Sequence, residues 1–280
     1  MAEPRPTAPP DDELLDELTS LAVDLARGAG ALLMEGRASI PGLLAADEVA
    51  TKTSSTDMVS EVDRASEQLL VGGIVASRPG DGILGEEGAD RESSTGVRWV
   101  IDPLDGTTNY LYGLAGFAVS IGVEHDGRGV VGVVLDPVHD ELFAATVGRG
   151  ATCNGAAISC TGATDLAHAL VGTGFGYRSE VRAEQAEILR HVLPRVRDIR
   201  RFGAAAVDLC AVACGRLDGY YERGLQPWDL AAGIVIAAEA GAVLTGAGGG
   251  PAGSSLTLAA GPGLHGTLRD ALIDAGLTDA

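Results

Sequence analysis

The sequence predicts an α+β protein built in layers, because its hydrophobic period changes twice along the chain. Helical spacing up to Ser77 gives way to short apolar runs separated by turn signals, and beyond Thr161 strand-like and helix-like segments alternate. Composition agrees with this reading. In 280 residues, 46% hydrophobic content fills a sizeable core, while 4% aromatics and 40 glycines favour packing by Ala, Val, Leu and Ile with many tight turns.

The elements follow in order. Residues 1–11, Pro-rich and closing on acids, cannot bury apolar surface and are expected to form a mobile tail. Leu14, Leu15, Leu18, Leu21, Ala22 and Leu25 recur at helical spacing and predict an amphipathic helix to about Met34. A second helix is expected over Ser60 to Ser77, with Ser60 and Asp63 as a capping pair and Pro79-Gly80 beyond its end. The runs Gly82 to Gly85, Val97 to Ile101, Phe117 to Glu124, Val130 to Leu135 and Glu141 to Val147 read as an antiparallel meander. The alternating part predicts strands at Leu170 to Thr173, Ile199 to Phe202 and Gly219 to Glu222. Helices are expected between and after them, at Glu180 to Val196, Ala204 to Cys214 and Trp228 to Ala240. The expected organisation is therefore an α+β half over 12–160 and an α/β half over 161–280, forming one unit with a ligand cleft between them.

Charge narrows the function. A net charge of −19 argues against nucleic acid or an anionic membrane as the main partner, since no Lys/Arg cluster offsets it. An acidic protein with an anionic ligand would need bound cations to reverse the local field. Cys153, Cys160, Cys210 and Cys214 show no CxxC spacing and read as reduced packing residues. No leader or membrane-spanning run is visible, which makes the cytoplasm the expected compartment. The five histidines lack ligand spacing, and Gly246 to Gly253 lacks the Lys-Ser/Thr of a phosphate loop and reads as a surface loop.

Acids at the ends of expected elements carry the strongest signal. Asp102-Pro103-Leu104-Asp105-Gly106-Thr107-Thr108-Asn109-Tyr110 leaves an apolar strand, Gly85-Glu86-Glu87-Gly88 leaves another, and Trp228-Asp229 opens an apolar helix. Alone, the first could be a turn and Asp229 a helix-start acid. Together, Glu86, Asp102, Asp105 and Asp229 can form an oxygen cage for hard cations, beside backbone N–H groups of Gly106 and Thr107 that suit an anion.

Lys52, Asp63, GEE at 85–87, DPLDGTTNY at 102–110 and PWDLAAG at 227–233 occur in the order and spacing of the inositol monophosphatase family. The chain resembles that family from about Asp12 to its C-terminus. YYERGLQPWDLAAG at 220–233 is most similar to the bacterial inositol-1-monophosphatases. The resemblance implies a layered αβαβα fold, a homodimer, and hydrolysis of myo-inositol monophosphate with two, or with a weaker one three, Mg²⁺ ions and inhibition by Li⁺. It implies that Glu86, Asp102 and the Leu104 carbonyl hold one ion, and Asp102, Asp105 and Asp229 a second. It further implies that Thr107, hydrogen-bonded to Asp63, activates water that Glu86 orients. Gly106 and Thr107 would hold phosphate oxygens; Ala205, Glu222 and Asp229 would contact the substrate.

General phosphoryl chemistry agrees, because two divalent cations can activate a water and stabilise the leaving alkoxide in one in-line displacement. A carboxylate at Glu222 suits vicinal hydroxyls of a polyol, although it could also be a charge ending a strand. Ala204 stands where the family commonly has a small hydroxylated residue, which leaves the contact to the leaving group open. Histidinol phosphate, fructose 1,6-bisphosphate and adenosine 3′,5′-bisphosphate are the alternative substrates. A regulatory binding protein with a retained metal site is the competing non-enzymatic class.

Overall fold

The computed structural model describes residues 10–39, 55–246 and 248–277. Lys52 and most of the expected tail lie outside them. Helix α1 (Asp12–Ser39) buries Leu15, Leu18, Ala22, Leu25, Ala26, Ala29 and Leu33 along one stripe, as the 3.6-residue period requires. It passes Met34, carries Gly36 inside it and ends at Ser39. Helix α2 (Ser55–Ser77) begins ahead of Ser60, which corrects the expected capping pair: with no Gly or Pro over 55–60, Ser60 lies within the helix.

The first sheet contains β1 (Gly82–Gly85), β2 (Asp90–Arg91) and β3 (Val97–Asp105), then, after the short helix α3 (Thr107–Leu111), β4 (Ala118–His125), β5 (Arg128–Asp136), β6 (Glu141–Thr146), β7 (Ala151–Cys153) and β8 (Ala156–Ile158). Its order is β2-β1-β3-β4-β5-β6-β7-β8. From β3 to β8 every pairing is antiparallel, as expected. The meander fails at its start, because β1 pairs with β3 in parallel and β2 folds back on the outer edge of β1. That exception serves the site. Parallel pairing puts the carboxyl ends of β1 and β3 at the same rim of the sheet, and the register Gly85 to Ile101 sets Glu86 beside Asp102.

The remaining elements are β9 (Leu170–Thr173), α4 (Ser179–Val192), β10 (Asp198–Arg200), α5 (Ala205–Ala213), β11 (Gly219–Glu222), α6 (Pro227–Glu239), β12 (Val243–Thr245), β13 (Thr257–Ala260) and α7 (Pro262–Asp274). The second sheet runs β10-β9-β11-β13-β12 and is parallel from β10 to β11. β12, β13 and α7 were not anticipated; short runs of small residues such as Thr257–Ala260 carry little periodic signal. The loop between β12 and β13 contains the glycine-rich stretch.

Five layers result. α1 and α2 cover one face of the first sheet, α5 and α6 fill the space between the sheets, and α4 and α7 cover the far face of the second. The αβαβα architecture follows from helix stripes that each need an apolar partner. α6 sits against glycines of the first sheet: a Cβ at Gly132 would lie 2.4 Å from the Ala232 carbonyl oxygen, and one at Gly122 2.5 Å from the Ala231 Cβ. Gly132→Ala is therefore expected to destabilise the fold by about 1–3 kcal/mol, because the obstacle is helix backbone that cannot rotate away. A urea midpoint equal to that of the parent chain would contradict this close approach. Among the described residues no helix is long and apolar enough to cross a membrane.

Candidate active site

The acids meet where element ends converge. β1 and β3 end at one rim of the first sheet, β9 and β11 end at one rim of the second, and α3, α5 and α6 begin there. An open cleft of about 490 Å³ lies at this junction, with Glu86, Asp105, Glu222 and Asp229 among its walls. Carboxyl ends of parallel strands are a general location for ligands.

Local irregularity sets the orientation of the acids in β3. Asp102 and Asp105 are three apart, so on a regular strand they would face opposite sides. A register shift against β4 falls between them, where Asp102 pairs with Ser120 and Asp105 with Ala118. Pro103, which has no N–H for the ladder, lies inside this bulge. Both carboxylates consequently reach one site: ligand oxygens of Asp102, Asp105 and Asp229 lie within 4.8 Å of one another.

Each acid is also held. The Leu104 N–H donates to Asp102 at 3.0 Å, and the Ala206 N–H at the start of α5 donates to Asp105 at 2.7 Å. The Gln226 N–H donates to Asp229 at 2.6 Å as half of the capping box that opens α6. Asp229 therefore caps a helix and reaches the acid cluster at once.

The electrostatics are unfavourable for four charges. Burial, then the neighbouring Asp105, Glu86 and Asp229, push Asp102 well above the usual carboxylate range. Burial foremost, then Asp229, raises Asp105 to about 8 despite the Ala206 N–H. Burial also raises Glu86 and Asp229; a hydrogen bond shared with Asp102 draws Glu86 partly back. Among the described residues, no lysine or arginine is a leading influence on these four groups. A divalent cation with oxygen ligands fits this set, because it would supply the missing positive charge where hard ligands converge.

Around the cluster, Asp63 is buried with its Oδ1 lacking a hydrogen-bond partner, and burial, then Glu87 and Glu86, raises it to about 8. The expected Thr107–Asp63 hydrogen bond is replaced: the Thr107 hydroxyl donates to the Leu104 carbonyl at 3.1 Å, closing the turn into α3. Gly106 stands before α3 with φ 87°, and a Cβ there would approach the Gly116 carbonyl oxygen to 2.6 Å. Glycine is required at that position for both reasons.

On the other wall, Tyr220 donates its hydroxyl to Glu222 at 2.6 Å, and a Cβ at Gly174 would come within 1.9 Å of the same carboxylate. Burial raises Glu222, with Tyr220 and Arg201 opposing. Ala205 opens α5 at the cleft, and Ala204 takes the N-cap position without a side-chain bond to the helix. Tyr177 and Arg201, which the sequence reading did not single out, also line the cleft; Arg201 directly follows β10 and Tyr177 lies in the segment after β9. The histidines lie elsewhere, each against a neighbour such as Asp136 for His139, Asp165 for His168 and Thr245 for His265. All four cysteines are free.

Comparison with known proteins gives the same direction. Residues 14–275 match the profile of the inositol monophosphatase family. The chain belongs to the inositol monophosphatase family. Within the family it is 47% identical over 246 residues to an inositol-1-monophosphatase of Mycobacterium bovis, covering 83% of this chain and 84% of the relative. It is 39% identical over 233 residues to a protein of Pasteurella multocida named Nus factor SuhB, covering 82% and 85%. The solved structure of Mycobacterium tuberculosis SuhB superposes with a TM-score of 0.80 at 42% identity, covering 94% of this chain and 98% of that one. Such inositol monophosphatase relatives bear out the α+β layered fold and the similarity to bacterial members.

Proposed function

We propose that the protein is a Mg²⁺-dependent phosphomonoesterase that hydrolyses myo-inositol monophosphate to inositol and phosphate. The observation that carries this reading is the convergence of Asp102, Asp105 and Asp229 oxygens within 4.8 Å, with Glu86 beside them and, among the described residues, no basic side chain among the leading influences on the four. Glu86, Asp102 and the Leu104 carbonyl would hold one ion and Asp102, Asp105 and Asp229 another; a third, weaker ion would share Glu86. Bound Mg²⁺ supplies neutralisation of the phosphoryl oxygens and a water acidic enough to attack near neutral pH.

The chain's own groups do the rest. Backbone N–H groups of Gly106 and Thr107, at the start of α3, orient the phosphate. Thr107, held on the Leu104 carbonyl, and buried Asp63 would pass a proton from the attacking water, which Glu86 would orient. Glu222, fixed by the Tyr220 hydroxyl, accepts from vicinal hydroxyls of the ring, while Ala205 and Asp229 border the leaving oxygen. A homodimer is part of the same proposal, and a gel-filtration mass near 28.4 kDa would remove it.

The test is phosphate release from inositol 1-phosphate, histidinol phosphate, fructose 1,6-bisphosphate and adenosine 3′,5′-bisphosphate, with and without Mg²⁺ and with Li⁺ added. Magnesium-dependent preference for inositol 1-phosphate, inhibited by Li⁺, is the expected result. Glu222→Gln should raise KM for it by roughly tenfold, the worth of about 1.4 kcal/mol in one charge-assisted hydrogen bond. Preference for another compound would overturn the role of Glu222. A second reading draws on the relative named Nus factor: absence of release from every compound would favour a regulatory binding protein.

A further inference from the structure

Helix α2 presents Asp63, Ser66 and Glu67 at i, i+3 and i+4, which places all three on one face, towards the site. Asp63 is close enough to Glu86 and Glu87 to feel their charge. The other two hold backbone. The Ser66 hydroxyl, fully buried, donates to the Pro103 carbonyl at 3.1 Å, between Asp102 and Leu104. Glu67, 8% exposed, accepts from the Glu87 N–H at 2.9 Å with one carboxylate oxygen and from the Ala89 N–H at 3.2 Å with the other. Gly85 closes the same turn by donating its N–H to the Ala89 carbonyl at 2.7 Å. A Cβ at Gly85 would lie 2.3 Å from Glu67, so the turn and the carboxylate fit together only with glycine there.

We infer that Glu67 is a positioning residue for the metal centre, acting through Glu86. Resting on the magnesium reading above, the inference assigns a role to a side chain that is not itself in the ligand set. The turn at residues 85–89 has no regular structure to fix it, since β1 ends at Gly85 and β2 starts at Asp90. Two hydrogen bonds accepted by one buried carboxylate, rooted in a long helix, supply that rigidity. Burying an acid beside other acids is unfavourable, and burial is the main cause that raises Glu67 above its ordinary range, while the Glu87 and Ala89 N–H groups oppose it. The influences that lower it are the two backbone N–H groups, which is consistent with a carboxylate held there for the backbone it binds.

Calorimetric titration of the metal-free protein with Mg²⁺ tests this without relying on turnover. Glu67→Ala is expected to weaken Mg²⁺ binding by roughly 10- to 100-fold, the usual effect of removing a group that orients a ligand. Glu67→Gln keeps one acceptor oxygen and should fall between the parent and Glu67→Ala; it also serves if the alanine variant does not fold. Glu86→Gln combined with Glu67→Gln should bind Mg²⁺ as Glu86→Gln alone does, because a residue acting through Glu86 has nothing left to position. Strictly additive losses, or a Glu67 variant that binds like the parent while Glu86→Gln does not, would overturn the inference. Unaltered binding in Glu86→Gln would overturn the magnesium assignment of Glu86 and the inference with it.

Discussion

Asp102→Asn is expected to lower kcat by about a thousandfold while raising the melting temperature of the metal-free protein. The first effect follows from removing the carboxylate proposed to be shared between two ions, where several kcal/mol of transition-state stabilisation are at stake. The second follows from the same burial. Asp102 lies 1% exposed among Glu86, Asp105 and Asp229, which all act to raise it, so losing one acid relieves repulsion. Asn keeps an oxygen for the Leu104 N–H, so the bulge should survive. Each kcal/mol relieved is worth about 2–4 °C in a chain of this size. Phosphate release and a melting curve in chelator give the two readings. Turnover within tenfold of the parent would remove the cluster from the reaction, and a lower melting temperature would mean that the acids do not strain the fold.

The pH dependence of stability should likewise change direction with metal. Asp63 and Asp105 titrate near 4 in an unfolded chain, but burial foremost raises both to about 8 in the fold. Below about pH 4 both states hold these protons and no penalty exists. Between about 4 and 8 the folded state keeps protons that the unfolded state has lost, so stability falls as pH rises, and above 8 the penalty is complete. His265, lowered by burial, acts oppositely near its ordinary value but is one group against several. Metal-free protein should therefore melt on the order of 5–10 °C lower at pH 8 than at pH 5. Saturating Mg²⁺, binding only the deprotonated cluster, should recover most of that at pH 8 and little at pH 5. Melting curves in chelator and in Mg²⁺ at both values decide the matter. Equal stability of the metal-free protein at pH 5 and pH 8, or equal gains from Mg²⁺, would contradict the arrangement of charges described above.

Much of this was legible in the sequence because each acid adjoins a strong local signal. β1, β9 and β11 occur at their expected bounds, and Asp102, Asp105 and Asp229 each adjoin a run with an unambiguous apolar pattern. What could not be read was how strands pair. The period of Val97 to Ile101 states that a strand exists, not that its partner β1 is parallel, and the meander expectation failed on that point. The Thr107 hydroxyl was misassigned because its partner depends on the turn geometry at Leu104. Glu67 and Ser66 were missed although their signal was present: they stand four and three residues after Asp63 on a helix already recognised. Tyr220 could have been found similarly, two residues before Glu222 and thus on the same side of β11.

The seating of α6 on Gly122 and Gly132 also bears on how the chain is made. Strands of the first sheet are complete by Ile158, yet the helix that covers its inner face ends only at Glu239. At a synthesis rate of about 5–20 residues per second, a ribosome needs roughly 4–16 s to deliver that cover. During the interval, Ala118, Val134, Phe143 and Ala145 of the nascent chain lack their helical partners. Newly made chains should therefore depend more on holding chaperones than full-length protein refolded from urea, in which α6 is present from the first moment.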